Sequence, residues 1–286
     1  MTARVWCWTP NPVLETKFTE GRRIVSAGGK GHNVARQLRQ WGVPALSVVP
    51  KVGKGWRRAA RKDGLPIREI PIRSAARMGW ALVEGPGERS DFFSQDPQWK
   101  KSNWDCCARF LRRKIQNRDW LVVAGSVPSR PRKGWWRRLF LALKNQGVRI
   151  VVDGKGQLLR EALEAGVEWA KGNLAEVQET VPCKGGGRGL AALREISQGR
   201  SSLMVTMGSH GLALGQHGRA FHVAAPRIRC WDATGSGDVV TAALIYGIRK
   251  GWEIEKVAGF AVWAGAENAA RRSEGVSRLK RRGVFA

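Results

Sequence analysis

The sequence predicts an α/β fold with a doubly wound, mostly parallel β-sheet that is covered by helices on both faces. Apolar segments of strand length alternate with helical patterns from Ala45 onward, which is the order of repeated strand–helix–strand units. One of these segments, 120–124, is apolar throughout, as expected of a strand buried on both faces. The 286 residues are enough for one large α/β domain or two small ones, and at 43% hydrophobic the chain has enough apolar residues to bury a sizeable core.

The individual elements follow from apolar runs, helical spacing and turn residues. A first strand at 5–9 ends at Pro10 and Pro12, because proline has no amide hydrogen to donate to a sheet. The segment 13–25 alternates poorly and is compatible with either a flap strand or a loop. Further strands are predicted at 45–50, 65–72, 78–83, 120–128, 148–154 and 203–208, helices at 34–41, 105–117, 135–145, 158–165 and 189–198, and a loop at 185–187.

The composition is strongly basic, with 50 lysine and arginine residues against 23 aspartate and glutamate residues and a formal net charge of +27. Such a charge attracts polyanions, nucleotides and sugar phosphates, and predicts salt-sensitive, non-specific binding to nucleic acid. The basic residues are spread through the whole chain, with no zinc finger, basic heptad helix or aromatic RNA-binding motif. We therefore expect no specific nucleic-acid partner.

Targeting and redox features predict a cytoplasmic protein without a membrane partner. The chain has no run of about 18 apolar residues, and its start lacks the long apolar segment of a signal peptide. The five cysteines form no C-x-x-C pair and suit reduced thiols. The four histidines show no metal-ligand spacing.

The most informative stretch is 232–238, a small, glycine-rich turn that runs into an apolar helical pattern. Gly235 and Gly237 lack a Cβ, so the backbone is able to approach a ligand closely and to adopt positive φ. The amides of both glycines and of Ser236 fall near a helix N-terminus, where unpaired amides favour an anion. Asp238 would repel phosphate unless it takes a proton from an attacking hydroxyl. The alternative is that an aspartate of the turn only caps the helix.

A second glycine-rich turn, 26–33, opens the helix predicted at 34–41. The turn superficially resembles the dinucleotide-binding fingerprint, but its third glycine and the following acidic residue are missing. Lys30 and Asn33 are instead well placed to hold a polar ligand at the helix start. A plain tight turn remains the alternative.

Five loops converge on one edge of the predicted sheet. In an open α/β sheet, ligands bind at the carboxyl ends of the strands. The loops at these ends are 125–126, 153, 171–176, 206–211 and 232–238. The P-loop pattern of nucleoside triphosphatases is absent from the sequence, so the protein is not expected to be a P-loop enzyme.

Two stretches carry a family resemblance. Gly28-Gly29-Lys30-Gly31-x-Asn33 and Asp232-x-Thr234-Gly235-x-Gly237-Asp238 resemble, in order and separation, the two signatures of the PfkB/ribokinase family of carbohydrate kinases. Further matches at 11–14, 125–128, 171–176 and 206–211 extend the resemblance from Val5 to about Val276. The pairs Asn11-Pro12 and Asn33-Val34 point to the 1-phosphofructokinase and tagatose-6-phosphate kinase branch.

The resemblance implies a ribokinase-like fold, with one kinase domain over 1–286 and a small β lid built from segments at about 10–27 and 70–95. Lids of this kind exclude water and often pair between subunits, so a homodimer through the lid is an expectation. The implied activity is transfer of the γ-phosphate of ATP to a hydroxyl of a phosphorylated sugar. ATP is then the co-substrate and Mg²⁺ the cofactor.

The resemblance also assigns roles on the phosphate side. Asp238 matches the catalytic base, and the amides of Gly235, Ser236 and Gly237 would hold the developing negative charge. Lys171 would lie near the transferred phosphate. The remaining matches are Asn173 and Glu176, which would place Mg²⁺ through water, Thr206, Gly208 and Gly211 in the nucleotide loop, and Asn268 near adenine.

On the sugar side, the matching residues are Gly28, Gly29, Lys30 and Asn33, with Arg77 and Ser126 where this branch contacts the existing phosphate. Glu15 stands where the branch has an aspartate that binds sugar hydroxyls, and Gly172 replaces a proline. These departures bear on the identity of the sugar more than on the chemistry. The alternatives are a nucleoside or unphosphorylated-sugar kinase of the same fold, and a degenerate, non-catalytic binding protein.

Overall fold

The computed structural model describes residues 3–86, 88–129, 131–181, 189–199 and 201–271, and the loop expected at 185–187 lies outside them. The strands are β1 (Val5–Trp8), β2 (Val13–Thr19), β3 (Arg22–Gly28), β4 (Ala45–Lys51), β5 (Ile67–Arg73), β6 (Arg77–Gly85), β7 (Glu88–Phe93), β8 (Trp120–Ala124), β9 (Arg149–Asp153), β10 (Trp169–Asn173), β11 (Ser202–Thr206), β12 (Leu212–Gln216) and β13 (Arg219–Val223). The helices are α1 (Lys30–Gln40), α2 (Lys54–Ala60), α3 (Lys101–Lys114), α4 (Trp135–Asn145), α5 (Gly156–Ala165), α6 (Leu174–Thr180), α7 (Leu190–Ser197), α8 (Ser236–Arg249) and α9 (Ile254–Ala269).

In the described part of the chain, nine strands form the main sheet, in the order β13-β12-β11-β10-β9-β8-β1-β4-β5. The strands from β5 to β11 along this order pair in parallel, and β12 near one edge pairs antiparallel with both β11 and β13. Parallel strands need crossover connections, and helices provide most of them here. The expected doubly wound sheet is therefore present.

Both faces of the main sheet are buried, and β8 shows how one strand serves both. Leu121 and Val123 pack into the core beneath α3, α4 and α5. The alternating residues Trp120, Val122 and Ala124 pack into a second core beneath α1, α8 and α9. A strand whose side chains alternate between two apolar layers reads as a continuous apolar run. Within the described residues, no helix has the length and apolar character needed to cross a membrane.

A second sheet of four strands, in the order β3-β2-β6-β7, lies apart from the main sheet. The segment 13–25, open between strand and loop, belongs to the β2–β3 hairpin, whose two-residue loop has Glu20 at φ 47° and Gly21 at φ 70°. Positive φ at both central positions matches the twist of the flanking strands. The expected lid segment from about 70 needs correction, because β5 pairs with β4 in the main sheet and the second sheet resumes only at Arg77.

The second sheet has two unlike faces. Opposite residues of paired strands share a face, so Phe18 lies beside Leu82, and Trp80 beside Phe92. These four apolar side chains are 40 to 62% exposed. The alternating residues of the other face include the charged residues Glu15 and Lys17 of β2 and Arg89 and Asp91 of β7.

Candidate active site

A cavity of about 920 Å³ lies at the carboxyl ends of the parallel strands, between the main and the second sheet. The predicted site residues that line it are Glu15, Gly29, Lys30, Asn33, Arg77, Ser126, Lys171, Asn173, Glu176, Thr206, Gly208, Gly211, Gly235, Ser236, Gly237 and Asp238. Gly28 and Asn268 instead line a smaller adjoining cavity that shares Glu15, Asn33 and Asp238 with the large one. The five loops expected at this edge therefore meet around one space.

The turn before α8 presents main-chain amides to the cavity. Gly235 has φ 76°, a left-handed conformation that favours glycine, and α8 begins at the next residue. The Ser236 N–H donates to the Ala233 carbonyl at 3.1 Å. Among the described residues, no hydrogen bond is found for the amides of Gly235 and Gly237. Two unpaired donors at the positive end of a helix dipole make an anion site.

Asp238 lies in the first turn of α8 with only 5% of its surface exposed. Burial raises the pKa of its carboxyl to about 6, against the opposing charge of Lys30 and with a further rise from the charge of Asp153. Its Oδ2 accepts a hydrogen bond from Asn33 Nδ2 at 2.7 Å. A buried carboxylate with a pKa near neutrality suits a general base.

Glycine at the start of α1 allows this helix to pack closely against β1. A Cβ on Gly31 would lie 2.6 Å from the Trp8 carbonyl oxygen, closer than real Cβ atoms approach. The His32 amide donates to Thr9 Oγ1 at 2.8 Å. This close packing brings the first turn of α1, with Lys30 and Asn33, to the edge of the cavity.

Asp153, at the end of β9, is the fully buried centre of the site's charges. Its Oδ2 lies 2.8 Å from Lys171 Nζ and accepts from Thr241 Oγ1 at 2.7 Å. Its Oδ1 lies 3.4 Å from Lys30 Nζ. Burial alone would raise the pKa of this carboxyl, but the charges of Lys171 and Lys30 outweigh burial and hold it well below the usual range.

Lys30 and Lys171 are therefore fixed on either side of one carboxylate. The pKa of Lys30 is raised, chiefly by the charge of Asp153 and despite burial. A Cβ on Gly237 would lie 3.5 Å from Lys171 Nζ, so this ammonium lies beside the unpaired amides. Position 153 was predicted to lie in a loop at a strand end, but Asp153 was not among the predicted site residues. Its place at the end of a strand was the available signal.

Asn173 and Glu176 form a reciprocal cap at the start of α6. The Asn173 side chain accepts from the Glu176 amide, and the Glu176 side chain accepts from the Asn173 amide, both at 2.8 Å. The second oxygen of Glu176, Oε1, lies 4.0 Å from Lys30 Nζ on the cavity side. Among the described residues, His, Cys, Asp and Glu form no group of three that would hold a metal ion by themselves.

Arg77 and Ser126, two of the residues expected on the sugar side, are joined by a short polar chain. Asn11 Nδ2 donates to Asp96 Oδ1 at 2.8 Å and to Ser126 Oγ at 3.1 Å. Arg77 Nε lies 3.3 Å from Asp96 Oδ1, and its guanidinium carbon lies 4.2 Å from the ring centre of Phe93. Asn11 and Asp96 were not among the predicted site residues, although Asn11 stands between two prolines at the end of the first strand.

The opposite end of the cavity is lined by the turn after β11 and an apolar wall. The Met207 amide donates to the Gly211 carbonyl at 2.8 Å, and Gly211 has φ 92°, so the turn needs its glycine. The apolar wall consists of Leu212, Ala225, Val240, Val262, Ala266 and Ala269. Asn268 braces the turn before α8, because its Nδ2 donates to the Thr234 carbonyl at 2.9 Å and lies 3.0 Å from Ser236 Oγ.

Comparison with known proteins finds relatives that are phosphofructokinases. The 1-phosphofructokinase of Vibrio cholerae is 26% identical over 288 residues, which span 91% of this chain and 88% of that protein. The ATP-dependent 6-phosphofructokinase isozyme 2 of Mycobacterium tuberculosis is 26% identical over 282 residues, which span 92% and 83%.

Solved structures share the fold. Phosphofructokinase-2 from Escherichia coli, in complex with substrates and products, superposes with a TM-score of 0.81 at 22% identity and 94% coverage of both chains. A possible 1-phosphofructokinase from Thermotoga maritima also gives a TM-score of 0.81, at 17% identity and with 96% and 95% coverage. The expected ribokinase-like α/β fold is thereby confirmed. A model of the pfkB family of carbohydrate kinases matches residues 10–280, and the chain belongs to that family.

Proposed function

We propose that this protein transfers the γ-phosphate of ATP to a hydroxyl of a phosphorylated ketohexose, as a 1-phosphofructokinase does. The observation that carries the proposal is the position of Asp238. This buried carboxylate, with a pKa of about 6, follows directly after the unpaired amides of Gly235 and Gly237. A base beside an anion site is needed to activate an alcohol next to a phosphoryl group, and a protein that only binds its ligand does not need the base.

In the proposed reaction, Asp238 accepts the hydroxyl proton while the sugar oxygen forms a bond to phosphorus and the bond to the ADP oxygen breaks. The hydrogen bond from Asn33 holds the carboxylate in place at 2.7 Å. The amides of Gly235 and Gly237 stabilise the charge of the transferring group, with about 3 to 4 kcal/mol typical for each such donor. Lys171, held by Asp153 at 2.8 Å, adds a fixed positive charge beside them.

Glu176 and Asn173 are the residues proposed to hold Mg²⁺ through water. The carboxylate oxygen Oε1 of Glu176 lies on the cavity side, 4.0 Å from Lys30 Nζ, so an oxygen ligand of the type that Mg²⁺ prefers is present there. When bound, the ion would neutralise charge on the phosphates of ATP. The reciprocal cap between Asn173 and Glu176 orients the glutamate for this role.

The sugar would occupy the end of the cavity beneath the second sheet, with Arg77 and Ser126 at its existing phosphate and Glu15, Gly28, Gly29, Lys30 and Asn33 around its hydroxyls. The nucleotide would lie against the turn that contains Thr206, Gly208 and Gly211, with its base on the apolar wall. We propose that the second sheet is the lid of a single kinase domain and excludes water from the reaction.

We further propose a cytoplasmic homodimer that pairs through the exposed face of the second sheet. That face carries Phe18, Trp80, Leu82 and Phe92, four apolar side chains that are 40 to 62% exposed and lie beside one another. Contiguous exposed apolar patches of this kind mark interaction sites. The related phosphofructokinase-2 of Escherichia coli has been solved in a tetrameric inhibited form, so members of the fold do assemble. The described cysteines are free thiols, which supports a reducing compartment.

An ATP-consumption screen tests the activity. Purified protein with Mg²⁺ is offered fructose 1-phosphate, fructose 6-phosphate, tagatose 6-phosphate, ribose and adenosine, with Asp238→Asn as the matched control. We expect rapid ADP release with one of the phosphorylated ketohexoses and release at least about 100-fold slower with the control. Turnover of ribose or adenosine alone would move the substrate class to an unphosphorylated acceptor. Absence of turnover with all five compounds would contradict the proposal.

A further inference from the structure

A cluster of charged side chains outside the reacting groups joins the second sheet to the turn before α8. Lys17 Nζ on β2 lies 2.8 Å from Asp232 Oδ2, and Arg89 Nη1 on β7 lies 3.2 Å from the same oxygen. The side chains of Lys17, Asp232 and Arg89 are 4, 9 and 13% exposed. Burial of this degree distinguishes the contacts from ordinary surface ion pairs, which are screened by water.

Arg89 binds more than one carboxylate with its planar guanidinium. Its Nη2 lies 2.8 Å from Glu15 Oε1, and its Nε donates to Asp91 Oδ1 at 2.9 Å. Despite partial burial, these hydrogen bonds and charges raise the pKa of Arg89 further above its usual value. A guanidinium presents its donors in a fixed fork, so Glu15 and Asp232 are held at a defined separation.

Asp232 in turn shapes the turn that carries the unpaired amides. Its Oδ1 accepts from the Thr234 amide at 2.9 Å, which fixes the chain just before Gly235. Its own amide donates to the Ala269 carbonyl at 3.2 Å, at the end of α9. Movement of the Asp232 side chain would therefore shift the Thr234 amide and, with it, the adjacent Gly235. The backbone of Asp232 itself remains hydrogen-bonded to the end of α9.

We propose that Arg89, with Lys17, is a positioning residue that couples occupancy of the sugar pocket to the geometry of the phosphate-binding turn. The coupling rests on the proposed function, because it uses Glu15 as a sugar-side residue and the turn as the site of the ATP phosphates. A sugar that contacts Glu15 orders Arg89, and Arg89 holds the second sheet and Asp232 together. The ion pairs already restrain the turn when no sugar is bound. A sugar that contacts Glu15 strengthens this restraint and brings the unpaired amides to their final geometry.

Two consequences follow. Sugar binding tightens nucleotide binding, and by reciprocity the nucleotide tightens sugar binding by the same factor. Couplings of this kind are typically about 5- to 150-fold. Without sugar, the amides are less well placed, so hydrolysis of ATP by water is suppressed. The ion pairs thereby protect ATP from wasteful hydrolysis.

The first test uses the protein without ligands and measures amide hydrogen exchange over 232–237. The variant Arg89→Met removes the charged fork and keeps an extended side chain, and Arg68→Met, at an exposed position of β5, is the matched control. We expect exchange in this turn at least about tenfold faster in Arg89→Met than in wild type, and unchanged exchange in the control. Equal exchange in all three proteins would overturn the proposal.

The second test measures the affinity for the non-hydrolysable analogue β,γ-imido-ATP with and without the sugar phosphate that the activity screen identifies. In wild type, saturating sugar phosphate is expected to lower the Kd of the analogue at least about fivefold. Arg89→Met should abolish this factor, and Arg89→Lys should restore part of it. The Kd of the analogue alone should change less than about threefold. A factor retained in Arg89→Met overturns the proposal.

A double-mutant cycle separates this role from a merely structural one. Lys17→Met, Asp232→Asn and the double variant are compared for kcat and for both KM values. If Lys17 acts through Asp232, the double variant loses no more kcat than the worse single variant. Independent, additive losses would contradict that link. If no sugar is turned over by wild type, the proposed function fails, and the exchange experiment still decides the positioning of the turn.

Discussion

Asn33 and Asp238 meet at the floor of the cavity, where Asn33 Nδ2 donates to Asp238 Oδ2 at 2.7 Å. The two residues stand in the first turns of α1 and α8, 205 positions apart in the chain. The contact commits one carboxylate oxygen to the protein. Among the described residues, the other oxygen, Oδ1, makes no hydrogen bond and is available to accept a proton from a bound hydroxyl.

The first prediction concerns the pH dependence of turnover. Because Asp238 must be ionised to act as a base and has a pKa of about 6, kcat/KM should rise with pH and level off above about pH 7. Asp238→Asn should lose about 10²- to 10⁴-fold in kcat. Steady-state kinetics between pH 5 and pH 9, with nucleotide affinity measured by calorimetry, checks both. A variant with near wild-type turnover would remove Asp238 from the role of base.

The second prediction is that the same substitution stabilises the protein at neutral pH. The pKa of Asp238 is raised from 3.8 to about 6, so the folded state disfavours the ionised form. The resulting destabilisation is absent below pH 4, grows as pH rises to 6, and is constant above. A shift of about two units corresponds to roughly 3 kcal/mol as an upper limit.

We therefore expect Asp238→Asn to be about 1 to 3 kcal/mol more stable than wild type at pH 7.5, with a smaller difference at pH 5. Urea unfolding at the two pH values measures the free energy of unfolding directly. Lower stability of the variant at pH 7.5 would mean that burial of this carboxylate has little energetic cost.

The sequence predicted the architecture of the main sheet because two kinds of signal were local. Alternation of apolar runs with helical patterns marks parallel strands, and strand-end loops in such a sheet share one edge. Close approach of two main-chain segments also requires glycine, as where Gly31 packs against the Trp8 carbonyl. These requirements are visible in short windows of sequence, so the loops around Lys171 and Asp238 were located correctly.

The contacts of the second sheet were not predictable in the same way. Lys17 and Arg89 lie on strands whose register depends on pairing with other strands, and no local pattern shows that both reach Asp232. The segment Ile67–Arg73 has the same alternation whether it joins the main sheet or the lid. Its pairing with β4 places it in the main sheet. Long-range pairing, rather than propensity, is what a single sequence does not display.

The third prediction concerns the buried pair of Asp153 and Lys171. Their side chains are 0 and 3% exposed and lie 2.8 Å apart. Asp153→Asn would leave a buried ammonium without its counter-charge, at a cost of about 3 to 5 kcal/mol. The double variant Asp153→Asn, Lys171→Met should recover part of this stability but no activity. Asp105→Asn, on the surface helix α3, is the control.

Thermal and urea unfolding of these variants, together with turnover, provides the measurement. The pKa of Asp153 is depressed below 3.8, so the stability that it contributes is fully present above about pH 4 and is lost only in stronger acid. The loss in Asp153→Asn should accordingly be the same at pH 7.5 and pH 8.5, where Asp238 is ionised in both proteins. Equal stability of Asp153→Asn and Asp105→Asn would contradict the central role of this pair.

The fourth prediction tests the sugar-side role of Arg77. This arginine is held by Asp96 at 3.3 Å and by the face of Phe93, with its guanidinium at the cavity wall. A charge-assisted hydrogen bond to phosphate is worth about 1.5 to 3 kcal/mol, so Arg77→Ala should raise the KM of the sugar phosphate about 10- to 100-fold. The KM of ATP should change less than about threefold. Arg73→Ala, at an exposed position of β5, is the control, and equal effects on both substrates would place Arg77 outside the sugar site.

The fifth prediction concerns assembly through the exposed face of the second sheet. Phe92 is 62% exposed and stands opposite Trp80, which is 40% exposed, on neighbouring strands. Burial of such a face against a second copy would remove a large apolar area from water, at about 25 cal/mol per Å². Wild type should therefore sediment as a dimer at micromolar concentration, and Phe92→Lys as a monomer.

The matched control is Leu141→Lys, at a position of α4 that is 37% exposed and remote from the second sheet. This variant should remain dimeric. Since the opposite face of the same sheet carries Glu15, dissociation should also raise the KM of the sugar phosphate more than that of ATP. Sedimentation velocity and kinetics on the same samples link the two effects. A monomeric wild type, or Phe92→Lys and Leu141→Lys with equal mass, would show that this face serves another purpose.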